Sequence, residues 1–233
     1  MKPPVKGLEK LSLIDFPPHA SCVIFLGGCN LRCPYCQNPD LIDRAKLPDM
    51  DEKEIFSFLD SRKEWLDAVV ITGGEPTLYK ELPRFIEAIK EKGYEVKLDT
   101  NGTDPAMLKD LIERKLVDSV SMDIKAPLEK YESVAKVPVD LEAIEKSVEI
   151  LNKSDIDYEF RTTIVPDFFS EDTAEELGLW LKGAKRFVLQ QFRQDMGTLD
   201  ESFLTKRRYN KEDLHYFQRI LKEHIPLVEI KGI

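Results

Sequence analysis

Cysteine is scarce in this 233-residue chain: there are four, and three of them fall within eight positions of the stretch GGCNLRCPYCQNPD, residues 27–40. Long apolar runs are also missing. None approaches the roughly 18 residues that span a bilayer, and the opening MKPPVKGLEKLSLIDF lacks the apolar core of a secretory signal. Positive charge is in the minority, with 34 Lys and Arg against 43 Asp and Glu and a formal net charge of −9. A nucleic-acid surface needs a broad basic field, so this balance argues against one. No Gly/Ser-rich linker or low-complexity segment divides the chain. These absences predict a cytoplasmic protein that engages neither membrane nor nucleic acid. In that compartment thiols stay reduced, and clustered cysteines point to metal or redox chemistry rather than to disulfides.

What is present is a regular alternation. ASCVIFLG (20–27) leads, past the cysteine loop, to the helical stretch DEKEIFSFLDSRK. LDAVVIT (66–72) leads to LPRFIEAIKEKG, with Gly93 suited to close the helix. YEVKLDT (94–100) leads to DPAMLKDLIERK, where Asp104 and Pro105 suit the N-cap and first helical positions. VDSVSMDIK (117–125) leads through PLEKYESV to DLEAIEKSVEILNKS, and DIDYEFRTTIV (155–165) to SEDTAEELGLWLKG with Ser170 as cap. KRFVLQQF (185–192) leads through a polar loop to NKEDLHYFQRILKEH, and PLVEIKG is a candidate further strand. Six strand-then-helix units imply parallel strands joined by right-handed crossovers, as a doubly wound sheet or an open partial (β/α) barrel. Residues 1–233 are expected to form one domain, with its core over about 20–192 and the last helix and candidate strand in 193–233.

The unusual residues fall at matching places. Cys29, Cys33 and Cys36 follow the first strand, GGEP (73–76) the second, DTNG (99–102) ends the third and DIK (123–125) the fourth. Arg161 lies late in the fifth strand and QQF (190–192) ends the sixth. Ligands gather at the C-terminal ends of parallel strands, so these features predict a single site. The plainer alternatives are an Asp123–Lys125 or Arg161 structural ion pair and simple turns at DTNG and GGEP.

The spacing C-x3-C-x2-C admits several chemistries. CPYC alone matches a glutaredoxin-like dithiol, which leaves Cys29 without a role. Zinc would need a fourth ligand such as His19, and structural zinc draws its ligand pairs from two separate knuckles. An iron–sulfur cluster normally takes four thiolates. Three would leave one iron open to another ligand. Cys22, inside the apolar SCVIF, reads as a small buried thiol.

CNLRCPYC with GGEP resembles the signature of the radical S-adenosylmethionine (radical SAM) superfamily. IDFP, CQNPDL, LDTNG, SMDIKAP and RTTIVP narrow the resemblance, over about residues 7–233, to the activating enzymes of glycyl radical enzymes. The activators of anaerobic ribonucleoside-triphosphate reductase are the nearest match, and those of pyruvate formate-lyase come next. The resemblance implies an open partial (β/α)6 barrel with parallel strands. It implies one [4Fe-4S] cluster on Cys29, Cys33 and Cys36, whose open iron takes SAM. Gly73, Gly74, Glu75, Asp123, Lys125 and Arg161 would contact SAM, and Tyr35, Gln37 and Asn38 would flank its adenine. Asp99 and Thr100 belong to the same rim, and Asp99 with Asp123 would hold a monovalent cation. Asp15, just ahead of the first strand, would meet the partner's glycine loop, although a turn-forming Asp explains it equally. A flavodoxin or ferredoxin would supply the electron; KRRYNK (206–211) reads as a solvated stretch, with docking of that donor as the alternative. The pyruvate formate-lyase activator has a histidine late in its sixth strand where this chain places Phe192, and Gln190 or Gln191 are the candidate substitutes. Two further functions stay open: a radical SAM enzyme acting on a small molecule or modified nucleoside, and a non-catalytic iron–sulfur electron carrier.

Overall fold

The structure is a computed structural model that describes residues 3–195 and 197–232. Its centre is one eight-stranded sheet in sequential order. The strands are β1 (Val5–Ser12), β2 (Ser21–Leu26), β3 (Ala68–Gly73), β4 (Glu95–Thr100), β5 (Ser119–Asp123), β6 (Asp157–Ile164), β7 (Phe187–Gln191) and β8 (Val228–Lys231). β1 runs antiparallel to β2, and every later neighbour is parallel. Among the described residues β1 and β8 remain unjoined edges, so the sheet curves without closing. The helices are α1 (Pro39–Ile42), α2 (Glu52–Ser61), α3 (Leu82–Lys90), α4 (Pro105–Glu113), α5 (Tyr131–Ala135), α6 (Leu141–Lys153), α7 (Glu171–Trp180) and α8 (Lys211–Lys222).

Local chemistry starts these helices where the sequence predicts. The Asp104 carboxylate accepts from the Met107 N–H at 2.9 Å behind Pro105, and Ser170 accepts from Thr173 N–H at 3.3 Å. Asn210 and Asp213 form a reciprocal capping box at α8. Gly93 closes α3, its N–H on the Lys90 carbonyl at 2.8 Å.

The six expected parallel strands are β2 to β7, and PLVEIKG supplies β8. Three elements depart from the sequence reading, the first being the short helix α1 after the cysteines. The N-terminal segment is strand β1, and PLEKYESV is not a plain connector but carries the short helix α5. β1 is hard to read because two register irregularities break its alternation. The alternate residues Ile24, Ile71, Leu98, Val120, Phe160 and Leu189 face the helices in one buried core. Their neighbours line the inner side of the sheet. Since the strands are parallel, the loops that follow them meet at one rim.

Candidate functional site

Three thiols open into one cavity at that rim. Cys29, Cys33 and Cys36 lie on the loop between β2 and α1, and line the cavity with Gly73, Gly74, Asp99, Asp123, Lys125, Arg161 and Gln190. The cavity is open to solvent on one side. The loop is held from several sides. Gly28 N–H donates to Leu41 at 2.6 Å and Arg32 N–H to Ala135 at 2.8 Å. From beyond β7, Leu199 and Asp200 N–H groups donate to the Cys36 and Pro34 carbonyls at 3.2 and 2.9 Å.

Burial decides the state of these thiols. It pushes Cys29 up to about 11 and raises Cys33 and Cys36 as well, with the Lys125 ammonium opposing the rise at all three. Burial therefore favours the neutral form of all three thiols. Among the described residues no three His, Cys, Asp or Glu side chains, these included, form a ready metal-ligand set. Metal sites are seldom preformed, and iron would deprotonate thiols outright. Three softened sulfur donors in a water-accessible, cation-edged cavity suit an iron–sulfur cluster. Cys22 lies on the helix side of β2, where burial pushes it up to about 12. It takes no part.

The second motif is a backbone junction. Gly73 has φ +131°, and a Cβ there would overlap the Leu26 backbone, while one on Gly74 would overlap the Gly28 carbonyl. Gly74 and Glu75 N–H groups donate to the Leu26 and Gly28 carbonyls, both at 2.8 Å. Glu75 also lines the cavity, and its side chain hydrogen-bonds within the chain. Its buried carboxylate accepts from Thr77 N–H and Oγ1 at 3.0 and 2.6 Å, Thr100 Oγ1 at 2.7 Å and Asn101 N–H at 2.6 Å. Burial raises its carboxyl and those donors work against the rise. Glu75 and Thr100 thus bolt the β3 loop to the β4 loop.

Across the cavity lies an ionic network. Asp123 accepts from Arg161 Nε at 2.7 Å through Oδ1 and from Lys125 Nζ at 2.9 Å through Oδ2. Asp99 Oδ2 accepts from both Arg161 terminal nitrogens at 3.3 Å. Burial opposes ionisation of Asp123, yet the Arg161 and Lys125 charges overcome it and hold the carboxyl well below the usual range. The same partners hold Arg161 and Lys125 well above theirs against the pull of burial. The anticipated ion pair therefore exists, and it lines the cavity.

Of the other expected residues, Tyr35, Gln37 and Asn38 also line the cavity. The Tyr35 ring is buried against Phe168 and Phe203, at 5.9 and 6.4 Å between centroids, and its hydroxyl has no hydrogen-bond partner. Gln37 Nε2 donates to the Arg193 carbonyl at 2.8 Å, and Asn38 sits at the start of α1 on the cavity edge. Of the candidates in QQF, Gln190 lines the cavity, Gln191 donates to the Tyr209 carbonyl at 2.7 Å and Phe192 is buried in the core. Asp15 is outside the cavity, near the start of β2. Its carboxylate accepts from Ser12 Oγ at 2.5 Å and its carbonyl from Lys97 Nζ at 2.6 Å. In KRRYNK, Lys206 pairs with Asp167, and Arg207 lies 3.7 Å from Asp213.

Sequence reasoning missed Lys97 and Glu159, both buried on the inner face. Their signal was parity, since in YEVKLDT Lys97 shares a face with Asp99, and in DYEFRTT Glu159 shares one with Arg161. Thr72 and Thr163 line the cavity on the same ground.

Comparison with known proteins bears on this geometry. The model of the Radical SAM superfamily matches residues 23–180. A protein of Methanocaldococcus jannaschii, provisionally named a glycyl-radical enzyme activating enzyme, is 38% identical over 100% of this chain and 98% of its own length. The pyruvate formate-lyase-activating enzyme of Clostridium pasteurianum is 32% identical over 52% of each chain. A 7-carboxy-7-deazaguanine synthase of Aquifex aeolicus is 38% identical over 36% of each. Among solved structures, Streptococcus suis SuiB bound to S-adenosylmethionine superposes with a TM-score of 0.66 at 18% identity, covering 88% of this chain and 48% of SuiB. This chain thus spans about half of SuiB, and the likeness speaks to the fold. No helix among the described residues is long and apolar enough to cross a membrane. The chain belongs to the radical SAM superfamily and, within it, to the activating enzymes of glycyl radical enzymes.

Proposed function

We propose that this activating enzyme serves an anaerobic ribonucleoside-triphosphate reductase in the cytoplasm, as one domain spanning the chain. A flavodoxin- or ferredoxin-type carrier would supply its electron. The motifs IDFP, CQNPDL, LDTNG, SMDIKAP and RTTIVP support that partner class. One observation carries the chemistry: Cys29, Cys33 and Cys36 open into the cavity that also holds the Gly73–Gly74 junction and the Asp123–Lys125–Arg161 network.

In this reading the three cysteines hold a [4Fe-4S] cluster with one iron left free for SAM. When bound, the two cofactors supply a 5′-deoxyadenosyl radical through one-electron cleavage of the sulfonium, and with it hydrogen abstraction from the partner's glycine. The chain's own residues bind and orient. Gly73 and Gly74 let backbone approach the methionine part of SAM, and Lys125 offers its carboxylate a cation already poised by Asp123. The backbone of Tyr35, Gln37 and Asn38 edges the space for adenine. Gln190 faces the cavity from β7 and is the candidate substitute for the histidine that the pyruvate formate-lyase activator has near the place of Phe192. A monovalent cation at Asp99 and Asp123 would have to share them with Arg161 and Lys97. Asp15 would meet the glycine loop from the inner side of the sheet.

Similarity to a 7-carboxy-7-deazaguanine synthase supports a small-molecule substrate over only 36% of the chain. The full-length likeness to an activating enzyme supports the protein substrate. The test is anaerobic reconstitution with iron, sulfide, SAM and the reductase, read by electron paramagnetic resonance. A glycyl radical on the reductase supports the proposal. Deoxyadenosine formation with no radical on it, alongside a radical on another glycyl radical enzyme, reassigns the partner.

A further inference from the structure

Every carboxylate oxygen of Asp99 and Asp123 faces a cation from the chain itself. Asp123 uses both oxygens on Arg161 and Lys125, at 2.7 and 2.9 Å. Asp99 gives Oδ2 to Arg161 at 3.3 Å, and its Oδ1, which has no hydrogen bond, faces the Lys97 ammonium at 3.5 Å. Lys97 is buried on the inner wall. Lys97 also donates to the Asp15 carbonyl at 2.6 Å, which holds its ammonium on the inner wall. The next carboxylate, Glu159, is equally occupied, with Arg186 Nε at 3.3 Å, Lys231 at 3.5 Å and Lys97 at 3.9 Å.

The charges therefore already balance. Asp99, Asp123 and Glu159 are matched by Lys97, Lys125 and Arg161 before Arg186 and Lys231 are counted. A metal ion on Asp99 Oδ1 would share that oxygen with an ammonium and bring surplus positive charge into a buried cluster, where like charges repel strongly. The cation expected beside these aspartates does not fit the residues present.

We propose that SAM binding in this enzyme needs no monovalent metal ion, because Lys97 and Arg161 hold Asp99 and Asp123 in its place. Lys97 is then a positioning residue that acts through Asp99. The inference rests on the radical SAM reading of the cavity. It also gives Lys97 a role that its distance from the cysteines would hide.

The test measures SAM affinity of the anaerobically reconstituted protein by equilibrium dialysis, in potassium, sodium or tetramethylammonium chloride at equal ionic strength. Wild type should bind equally in all three, within about twofold. Lys97→Met should bind at least tenfold more weakly in tetramethylammonium and recover part of the loss in potassium or sodium, which a purely structural defect would not do. Lys97→Arg, which keeps the charge, should behave as wild type. A tenfold loss by wild type in tetramethylammonium would overturn the proposal, and so would unchanged affinity in Lys97→Met. The wild-type comparison and Lys97→Arg decide the matter even should the methionine variant misfold, as thermal melting would reveal. Absence of SAM binding in every salt would strike at the radical SAM reading instead.

Discussion

On β4 and β6 the residues facing the helices are Val96, Leu98, Tyr158 and Phe160, whereas those facing inward are Lys97, Asp99, Glu159 and Arg161. Both sets are largely removed from water, by different physics. The helix side is sealed by apolar packing, and each side chain there gains free energy by leaving solvent. The inner side buries charges, which costs free energy unless each one finds a partner. Parallel sheets are normally apolar on both faces. Here the helix side holds the fold together, while on β4 and β6 the inner side is kept polar beside a small apolar cluster of Phe16, Val23, Ala68 and Val70, so substitutions on the two sides of β4 and β6 should fail differently.

The sharpest contrast uses one residue type. Cys33→Ala on the rim should abolish iron binding in reconstituted protein, and Cys22→Ala on the helix side should leave the iron content of wild type. Iron and sulfide analysis checks both, and loss of cluster in Cys22→Ala alone would reverse the ligand assignment. Next in size is Phe160→Ala, expected to cost about 3–5 kcal/mol of stability by emptying a core position. Its opposite is Lys125→Met. Asp123 retains Arg161, so the fold should lose less than in Phe160→Ala while SAM affinity drops at least tenfold. Denaturant melts of cluster-free protein, paired with dialysis against SAM, separate the two patterns.

A smaller effect concerns pH. The Asp123 carboxyl is held below its ordinary range by Arg161 and Lys125 despite its burial. A depressed carboxylate contributes stability above its unfolded pKa, about 4, and loses it as pH falls toward the folded value. Asp123→Asn should therefore be less stable than wild type by about 2 kcal/mol at pH 7, as for hydrogen bonds to a charged group. The gap should narrow below about pH 4. Melts of cluster-free protein between pH 7 and pH 3 measure it, and a gap that widens toward acid would remove Asp123 from the network.

The same division explains what could be read in advance. The parallel strands were legible because their apolar residues recur between helix signals, as in LDAVVIT and LPRFIEAIKEKG. The rim was legible because Cys29, Gly73, Asp99, Asp123 and Arg161 lie at or near the C-terminal ends of successive strands. β1 was not, since only its end residues Val5 and Ser12 are buried, with no apolar alternation between them, and its register slips twice. Lys97 and Glu159 were overlooked because a polar residue in a strand ordinarily faces water, and only the curvature of the sheet and the Asp15–Phe16 segment enclose them. Glu75 was assigned to SAM by its motif, while its four hydrogen-bond donors become visible only once the β3 and β4 loops meet. Gln190 and Gln191 differ only by the alternation of β7, which the register with β6 fixes.

The central claim is that three thiols on this rim leave one cluster iron for SAM. Electron paramagnetic resonance of the reduced, reconstituted protein tests it most directly, with spectra taken before and after SAM is added. The account predicts a [4Fe-4S]+ signal that changes shape when SAM binds, in wild type and Cys22→Ala alike. A cluster signal unaltered by saturating SAM would contradict it.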